Sequence, residues 1–426
     1  MAKLVIEGGY PLQGEVRPSG NKNAAQPILA ATLLTEEPVT IRNLPDILDV
    51  RAVLDLLEQV GARVDRHDRH TVTVCAAGVN KTRLDMQAAR SIRGSILFAG
   101  PLLARFGRTT VSMPGGCAIG RRGVGTHMRA FEAMGAEVNV NGGYEMVARR
   151  LRGADILLDE ASVTGTENAI MAAVLAEGRT VLRNAAGEPH VQDLCTFLNS
   201  LGARIGGVGS NVLEIEGVSS LSGGECRISS DHTEVGSFIG LAAVTGGELR
   251  IRDAVPEHMR MTRLVFERLG VRTEVDGDDL LVPADQELRI QPSFDTNVPK
   301  IDDGVWPAFP SDMMSVALLV ATQSEGTVLI WEKMFESRLF FVDRLIAMGA
   351  SIILCDPHRA VVVGPSSLHG EVLQSPDIRA GVALLGAALC ARGTSTIHNI
   401  VQIDRGYEHI DDKLRALGAR IQRVDE

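Results

Sequence analysis

A phrase of about ten residues occurs six times along this chain of 426 residues, and it limits the possible folds more than any other feature. Each copy ends a helical pattern with an apolar residue and a glycine, and an alternating pattern typical of a β-strand follows. A chain that leaves a helix for a strand often needs a left-handed residue at that point. We therefore expect a positive φ at all six of the glycines, which are Gly61, Gly135, Gly202, Gly270, Gly349 and Gly418.

A second phrase also occurs six times, upstream of the first. It consists of an Ala/Leu-rich helical stretch, a short turn and a β-branched strand, as in LAATLLTEEPVTIRN and ALLVATQSEGTVLIWE. One unit therefore contains a strand, a loop, a helix, a strand, a loop, a helix and a strand. A length of about 70 residues is too long for an ordinary solenoid repeat and suits a small α/β subdomain.

Six units in a chain of this length predict two domains of three units each. The strand at residues 4–7 precedes the first full unit and has no local partner, so we predict that it pairs within the C-terminal domain. Domain I is predicted at residues 22–229, and domain II at residues 1–21 and 230–426. The alternative is two sequential α/β domains of unrelated type, which six matched copies of two phrases argue against.

Composition excludes several classes of function. A net charge of −10 argues against a general nucleic-acid or membrane-surface binder, and 4% aromatic residues disfavour a base-stacking platform. No export signal and no apolar run of membrane-spanning length is visible, so a cytoplasmic protein with reduced thiols is expected. The cysteines show no metal-ligand spacing. Five of them are predicted to be packing residues, namely Cys75, Cys195, Cys226, Cys355 and Cys390.

The loop before the first helix of each unit is rich in polar residues. A helix cap explains the serine, threonine and aspartate in these loops. Lys22, Arg93 and Arg379 are different, because a cation is unfavourable at a helix start unless an anion lies close to it. We therefore favour anion sites over simple caps. The loops lie at residues 19–23, 90–95, 162–168, 229–234, 310–313 and 375–379, and all six are predicted to be helix N-termini.

Residues 114–127 form the most distinctive single loop. Its five glycines and the adjacent Arg121 and Arg122 predict a flexible lid over a charged ligand. A thiol beside two guanidinium groups, here Cys117, could act as a nucleophile or an acid. A mobile surface loop with an incidental cysteine explains the same residues equally well. Arg338 and Arg405 occupy the equivalent loops of two other units.

Five segments together resemble the enolpyruvyl transferase family, in its UDP-N-acetylglucosamine branch: SGNKNAA, PGGCAIGRR, FPSDM, FESR and IDRGYEHIDDKLRALGA. The resemblance runs from about residue 4 to residue 424. It implies an α/β fold of two domains, an inside-out α/β barrel in which each domain has three βαβαββ units. It also implies transfer of the enolpyruvyl group of phosphoenolpyruvate to the 3-hydroxyl of UDP-N-acetylglucosamine, the first committed step of peptidoglycan synthesis, with no cofactor.

The resemblance also implies roles for individual residues. Cys117 would be the proton donor and the covalent target of fosfomycin, Asp312 would take the proton of the 3-hydroxyl, and Lys22 would also be catalytic. Arg338 would be a further active-site arginine. Phosphoenolpyruvate would be bound by Lys22, Asn23, Arg122, Arg379 and Arg405, since guanidinium groups suit phosphate and carboxylate. The sugar nucleotide would be bound by Arg93, Arg122, Gly123, Val124, Gly125, Thr126, Ser162, Val163, Asp312 and Met334.

The sequence departs from the family in the lid segment expected to meet uracil. The family commonly has Arg-Pro-Val-Asp-Leu there, whereas residues 122–126 are Arg-Gly-Val-Gly-Thr. The change leaves the acceptor open: a free uridine nucleotide is one alternative, and shikimate phosphate is another that the motifs favour less. A third reading is a non-catalytic paralogue that binds a sugar nucleotide. The joint presence of Lys22, Cys117 and Asp312 argues against it, because a sensor needs neither an acid nor a base.

Overall fold

In the computed structural model, which describes residues 2–113, 115, 120, 122–140, 142–292 and 298–425, the chain divides into two compact units. We call residues 20–113 and 122–229 the N-terminal unit, and residues 2–19 and 230–425 the C-terminal unit. Each unit has its own core of buried aliphatic residues.

The elements follow the repeated order that the sequence predicts. The C-terminal unit contributes the first two strands, β1 (Lys3–Glu7) and β2 (Gly14–Val16). The N-terminal unit contains helices α1 (Lys22–Ala31), α2 (Leu48–Val60), α3 (Met86–Ser91), α4 (Ala99–Phe106), α5 (Gly125–Ala133), α6 (Val163–Ala173) and α7 (Pro189–Ser200), with 3-10 turns at Thr32–Leu34 and Arg93–Phe98. Its strands are β3 (Val39–Arg42), β4 (Arg63–Asp68), β5 (Thr71–Cys75), β6 (Arg108–Val111), β7 (Glu137–Val140), β8 (Tyr144–Val147), β9 (Asp155–Leu157), β10 (Arg179–Arg183), β11 (Arg204–Gly206), β12 (Val212–Glu216) and β13 (Gly224–Arg227).

The rest of the C-terminal unit repeats the same alternation of helix and strand. Its helices are α8 (His232–Thr245), α9 (Arg260–Arg268), α10 (Met314–Gln323), α11 (Val342–Ala347), α12 (Ile378–Cys390), α13 (Val401–Asp404) and α14 (Ile410–Ala416), with 3-10 turns at Pro256–Met259 and Ser311–Met313. Its strands are β14 (Leu249–Ile251), β15 (Glu274–Asp276), β16 (Asp279–Val282), β17 (Lys300–Asp302), β18 (Gly326–Trp331), β19 (Ser351–Asp356), β20 (Arg359–Gly364), β21 (Val372–Gln374), β22 (Thr394–His398) and β23 (Arg420–Val424).

The described residues form six small sheets, three in each unit. Their strand orders are β13-β3-β5-β4, β11-β12-β10-β9 and β6-β8-β7 in the N-terminal unit, and β21-β22-β1-β23, β15-β16-β14-β2 and β17-β18-β20-β19 in the C-terminal unit. Each four-stranded sheet joins one parallel edge strand to three antiparallel strands. In the three-stranded sheet, a parallel bridge between Arg83 and Thr110 occupies the place of that edge strand. The predicted six-fold repeat is therefore confirmed at the level of sheets.

The six repeat glycines all have left-handed backbone conformations, as predicted. Their φ angles lie between 87° and 103°. Gly61, for example, ends α2 at 103°, and its N–H bonds back to carbonyls of the last helical turn. A side chain would strain the backbone at this φ, which is why glycine recurs at this point of every unit.

The first strand pairs with the end of the chain, as its lack of a local partner predicted. Strand β1 lies between β22 and β23 and is antiparallel to both. Leu4 faces Ile397 on one side and Arg423 on the other, and Leu4 and Ile6 are fully buried. Burial of alternate residues fixes the register of the strand.

Three helices in each unit are enclosed rather than amphipathic. In the C-terminal unit α8, α10 and α12 pack against one another, and every residue of α12 except the last is buried. A helix that is apolar on all sides belongs in a core. The sheets surround these helices in each unit, which is the arrangement that the term inside-out barrel describes. Among the described residues, no helix combines the length and apolar character needed to cross a bilayer.

Two details differ from the predictions. Residues 90–95 are not a loop: α3 ends at Ser91 and a 3-10 turn begins at Arg93, because no proline or glycine interrupts the chain before Gly94. Cys355 is not a packing residue but is exposed, because strand alternation turns it outward on the same face as Ile353, which is 65% exposed. The described cysteines are unpaired thiols, and Cys195 is buried as predicted.

Candidate active site

Asp312 is at the centre of a buried ion-pair cluster in the C-terminal unit. It lies in the 3-10 turn that leads into α10. Arg338 places Nη2 2.6 Å from Oδ1, and Arg379 places Nε and Nη2 3.0 and 2.9 Å from Oδ2. Burial would raise the pKa of Asp312, but the positive charges of Arg379 and Arg338 outweigh it and hold that pKa well below its ordinary value. Asp312 is therefore ionised.

The structure brings Arg379 to Asp312 from a helix start predicted to hold an anion. Asp377 caps α12 and accepts the backbone N–H groups of Arg379 and Ala380. The Arg379 side chain is buried, and its Nη1 donates to the Tyr407 hydroxyl at 3.2 Å. That hydroxyl lies 2.8 Å from the Ser237 hydroxyl. The guanidinium group is therefore held at both ends, by a carboxylate and by a buried tyrosine.

Arg338 is the second arginine of the cluster and is only 3% exposed. Its Nε donates to the Ser311 hydroxyl at 3.3 Å, and its guanidinium carbon lies 5.2 Å from the centre of the Phe335 ring. Arg405 behaves differently: it follows α13, is half-buried, and donates to Gln402 Oε1 at 3.1 Å. The structure thus brings Arg338 and Arg379 together on Asp312, whereas Arg405 donates to a neighbouring glutamine.

Lys22 has a buried partner in the N-terminal unit that the sequence did not reveal. It is the first residue of α1, and Asn21 caps this helix by accepting the N–H groups of Asn23 and Ala24. The Lys22 ammonium lies 2.9 Å from Asp49 Oδ2, and the two side chains are 12% and 5% exposed. The anion expected beside this cation is therefore a protein carboxylate in the structure. An acid in the first turn of α2 is so ordinary that no pattern marks Asp49 as special.

Arg93 holds the backbone of the segment expected to meet the base. Its Nη1 and Nη2 donate to the carbonyl oxygens of Arg122 and Gly123 at 3.0 and 3.1 Å. Burial, together with the positive charge of Arg122, lowers the pKa of Arg93 to about 10. Its Nε is buried and has no acceptor among the described residues. One buried N–H donor therefore remains available at this point.

The other residues predicted for the sugar nucleotide serve local structure here. Val124 precedes α5, Gly125 is its first residue, and the Thr126 hydroxyl donates to Asp159 at 2.6 Å. Ser162 caps α6 by accepting the N–H of Gly165 at 3.3 Å, and Val163 is the first residue of that helix. Their roles towards a ligand stay predictions.

Met334 lies in a turn after β18, where its N–H donates to Glu332 Oε1 at 3.1 Å, and its side chain is 42% exposed. Glu332 is a buried acid that the sequence did not single out, because an acid at the end of a strand is usually a surface residue.

Cys117 lies outside the described residues. Among those that are described, no group of three or more His, Cys, Asp or Glu side chains is placed to hold a metal ion.

Comparison with known proteins supports the resemblance over the whole chain. The sequence model of the family described as EPSP synthase (3-phosphoshikimate 1-carboxyvinyltransferase) matches residues 6–414. The UDP-N-acetylglucosamine 1-carboxyvinyltransferase of Bradyrhizobium diazoefficiens is 55% identical over 424 residues, which cover 100% of this chain and 98% of that one. The protein of the same name from Treponema denticola is 52% identical over 422 residues, covering 99% of both chains.

Solved structures give the same result for the fold. The enolpyruvyl transferase NikO from Streptomyces tendae superposes with a TM-score of 0.87 at 25% identity and covers 99% of both chains. An EPSP synthase from Acinetobacter baumannii has a TM-score of 0.76 at 16% identity over 100% of both chains, and this likeness concerns the fold alone. The predicted α/β fold class and the family resemblance are thereby confirmed. The chain belongs to the enolpyruvyl transferase family, which is also described as the family of carboxyvinyltransferases.

Proposed function

We infer that the protein transfers the enolpyruvyl group of phosphoenolpyruvate to the 3-hydroxyl of UDP-N-acetylglucosamine and releases phosphate. The observation that carries this inference is similarity along the whole chain, at 55% and 52% identity, to two transferases named for that acceptor. The likeness to NikO is much weaker, at 25% identity. The reaction would supply the first committed step of peptidoglycan synthesis.

We propose that phosphoenolpyruvate is bound by Lys22, Asn23, Arg122, Arg379 and Arg405. The buried pairs support this proposal, because Lys22 and Arg379 are desolvated cations whose carboxylate partners an anionic substrate can replace. Lys22 carries a compact charge that can follow a phosphate group, whereas Arg379 presents a planar fork that fits a carboxylate.

Asp312 is proposed as the base and Cys117 as the acid. In the reaction C3 of phosphoenolpyruvate gains a proton and C2 becomes electrophilic, while the acceptor hydroxyl loses its proton as its oxygen bonds to C2. Phosphate then leaves the tetrahedral ketal, and C3 loses a proton to restore the double bond. Asp312 is held ionised, as a base must be. If the substrate draws Arg379 away, one carboxylate oxygen becomes free to take the hydroxyl proton.

The UDP part of the acceptor is proposed to bind the N-terminal unit. Arg93 supports this, since its buried Nε would gain an acceptor from a diphosphate and its other nitrogens already hold residues 122 and 123. We propose that the enzyme uses these two small molecules in the cytoplasm, without a nucleic-acid or membrane partner. The proposed contacts are Arg93, Arg122, Gly123, Val124, Gly125, Thr126, Ser162, Val163, Asp312 and Met334.

A phosphate-release assay tests the acceptor directly. Phosphoenolpyruvate is supplied with UDP-N-acetylglucosamine, with uridine monophosphate or with shikimate 3-phosphate, and each product is identified by mass spectrometry. Release with UDP-N-acetylglucosamine, and a product heavier by one enolpyruvyl group, is the expected result. Release only with another acceptor would replace the proposal with a related transferase. Binding of the sugar nucleotide without any release would instead indicate a non-catalytic paralogue.

Fosfomycin tests the proposed acid. Cys117→Ser should lose covalent modification by the drug, measured as the mass shift of the intact protein. Cys355→Ser is the matched control, because Cys355 is an exposed thiol with no proposed role, and that variant should be modified like the wild type. Modification of Cys117→Ser to the wild-type extent would remove the thiol from the proposed site.

A further inference from the structure

Two buried acids lie side by side beneath the Asp312 cluster. Strands β17 and β18 are parallel neighbours in which Asp302 faces Trp331. The next residue of each strand is an acid, Asp303 after one and Glu332 after the other. Their exposed fractions are 1% and 0%. Two neighbouring carboxyl groups that are this well shielded from solvent cannot both be ionised without a large cost in free energy.

The contacts of Glu332 link it to both parts of the cluster. Its Oε1 accepts the N–H groups of Met334 and Phe335 at 3.1 and 3.0 Å. The Ser311 hydroxyl lies 3.0 Å from each of its carboxyl oxygens. Ser311 directly precedes Asp312 and also accepts Nε of Arg338. Glu332 therefore fixes the turn before Arg338 and the residue next to Asp312.

The contacts of Asp303 require a proton on its neighbour. Its Oδ1 accepts the backbone N–H of Lys333. Its Oδ2 is buried and accepts no hydrogen bond from an N–H or hydroxyl donor among the described residues. Asp303 and Glu332 directly follow paired residues of neighbouring strands, and a hydrogen bond between their side chains is among the causes that raise the pKa of Glu332. A bond between two carboxyl groups needs one shared proton.

The surrounding charges place this proton on Glu332. Burial, followed by the bond to Asp303 and the charge of Asp303, raises the pKa of Glu332 to about 9, and the charge of Arg338 opposes this rise only in part. His358 also lies nearby, but its ring Nδ1 is 2.8 Å from the Glu332 carbonyl oxygen rather than from its carboxyl group. The ammonium groups of Lys300 and Lys333 contact Asp302. Glu332 is thus neutral near neutral pH.

We propose that Glu332 is a protonated positioning residue for enolpyruvyl transfer. Together with Asp303 it forms an acid–carboxylate pair that holds Ser311, Asp312 and Arg338 in their relative positions. The proposal rests on the proposed function for its kinetic part. If Glu332 lost its proton, a second buried negative charge would attract the Arg338 guanidinium away from Asp312. The cluster would then lose the geometry on which Asp312 depends.

Glu332→Gln is the decisive variant, because an amide imitates the neutral acid: Oε1 can accept the same N–H groups and Nε2 can donate to Asp303. We expect it to retain kcat within about twofold, whereas Glu332→Ala should lose about tenfold to a hundredfold through misplacement of the cluster. The pH profile of kcat distinguishes a residue that positions the catalytic cluster from one that only stabilises the fold. The wild-type kcat should fall as pH rises past about 9, and Glu332→Gln should lack this fall.

Urea unfolding between pH 5 and 9 tests the proton without any assay of activity. An acid with a raised folded pKa stabilises the fold fully below its ordinary pKa of about 4.3, and this contribution is lost as pH rises towards the folded value. The unfolding equilibrium constant of the wild type should therefore rise relative to Glu332→Gln by up to about tenfold per pH unit. This experiment shows whether Glu332 is protonated in the folded protein, even if the enzyme uses a different acceptor.

Asp303→Asn is the second variant. It removes the negative charge that holds the proton on Glu332, so the alkaline fall in kcat should move to lower pH. Asp302→Asn, on the neighbouring half-buried aspartate that pairs with Lys300 and Lys333, should leave the profile unchanged. Parallel stability curves for wild type and Glu332→Gln, equal loss of kcat in Glu332→Gln and Glu332→Ala, or an unmoved profile in Asp303→Asn would each overturn the proposal.

Discussion

Each unit places a cation at a helix start beside a carboxylate, but the two pairs are built differently. Lys22 presents a point charge to Asp49. Asp312 instead divides its two oxygens between two planar guanidinium groups, Arg338 and Arg379, and each of these is anchored by a further hydroxyl. The Lys22–Asp49 pair sets the direction of no planar group, whereas the Asp312 cluster fixes the directions of several donors at once. The Lys22–Asp49 pair therefore suits a cation that can move, and the Asp312 cluster suits a base with a fixed orientation.

The largest effect should come from Asp312→Asn. The amide cannot accept a proton from the acceptor hydroxyl and balances neither arginine, so kcat should fall at least about a hundredfold while UDP-N-acetylglucosamine still binds. Single-turnover kinetics and calorimetric binding measure the two quantities. Asp356→Asn is the control, since Asp356 pairs with Arg359 on the surface. Near-normal turnover of Asp312→Asn would remove Asp312 as the base.

Exchanging the cations should sharpen the comparison. Arg379→Lys cannot bond Asp312 through two nitrogens while also reaching Tyr407, so kcat/KM for phosphoenolpyruvate should fall at least about tenfold. Lys22→Arg keeps the charge at a pair that needs no planar fork, and its loss should be smaller. Steady-state kinetics of both variants test this order. A larger loss in Lys22→Arg would contradict the view that orientation matters more at Arg379.

Asp49→Asn should affect stability more than an ordinary surface change. It leaves the Lys22 ammonium buried without its carboxylate, and breaking a buried pair in this way lowers the free energy of unfolding by about 3 kcal/mol. Urea unfolding at neutral pH measures the change. Glu58→Gln, which removes the exposed partner of Arg66, is the matched control and should have little effect. Equal effects of the two substitutions would show that Lys22 does not depend on Asp49.

Acid pH should produce the smallest effect, and it should appear at the Asp312 cluster. Because the pKa of Asp312 is lower in the folded protein than in the unfolded chain, its contribution to stability is complete above the ordinary aspartate pKa of about 3.9. The contribution is lost as pH falls below that value. Wild type should therefore lose more stability than Asp312→Asn between about pH 4 and 2.5, measured by urea unfolding. Parallel curves would contradict the depressed pKa.

The residues of the site differ in how far the sequence could predict them. The helix starts at Lys22 and Arg379 were found because a cation is unfavourable at a helix N-terminus unless an anion lies beside it. Asp312 and Arg338 lie in loops that the repeats single out, their roles came from the resemblance, and the structure brings them together. Asp49 and Tyr407 were missed as partners, since nothing in their local sequence distinguishes them from a first-turn acid and a core aromatic residue.

Consecutive residues alone are enough to predict the six units, the left-handed glycine that ends a helix in each, and the family. These features are local: helical and strand periods, turn residues and motifs are all written in consecutive residues. Only the tertiary structure decided that Lys22 pairs with Asp49 and that Glu332 lies against Asp303. The members of each pair lie far apart in sequence, and the charge and proton of each depend on burial, which strand order and helix packing set.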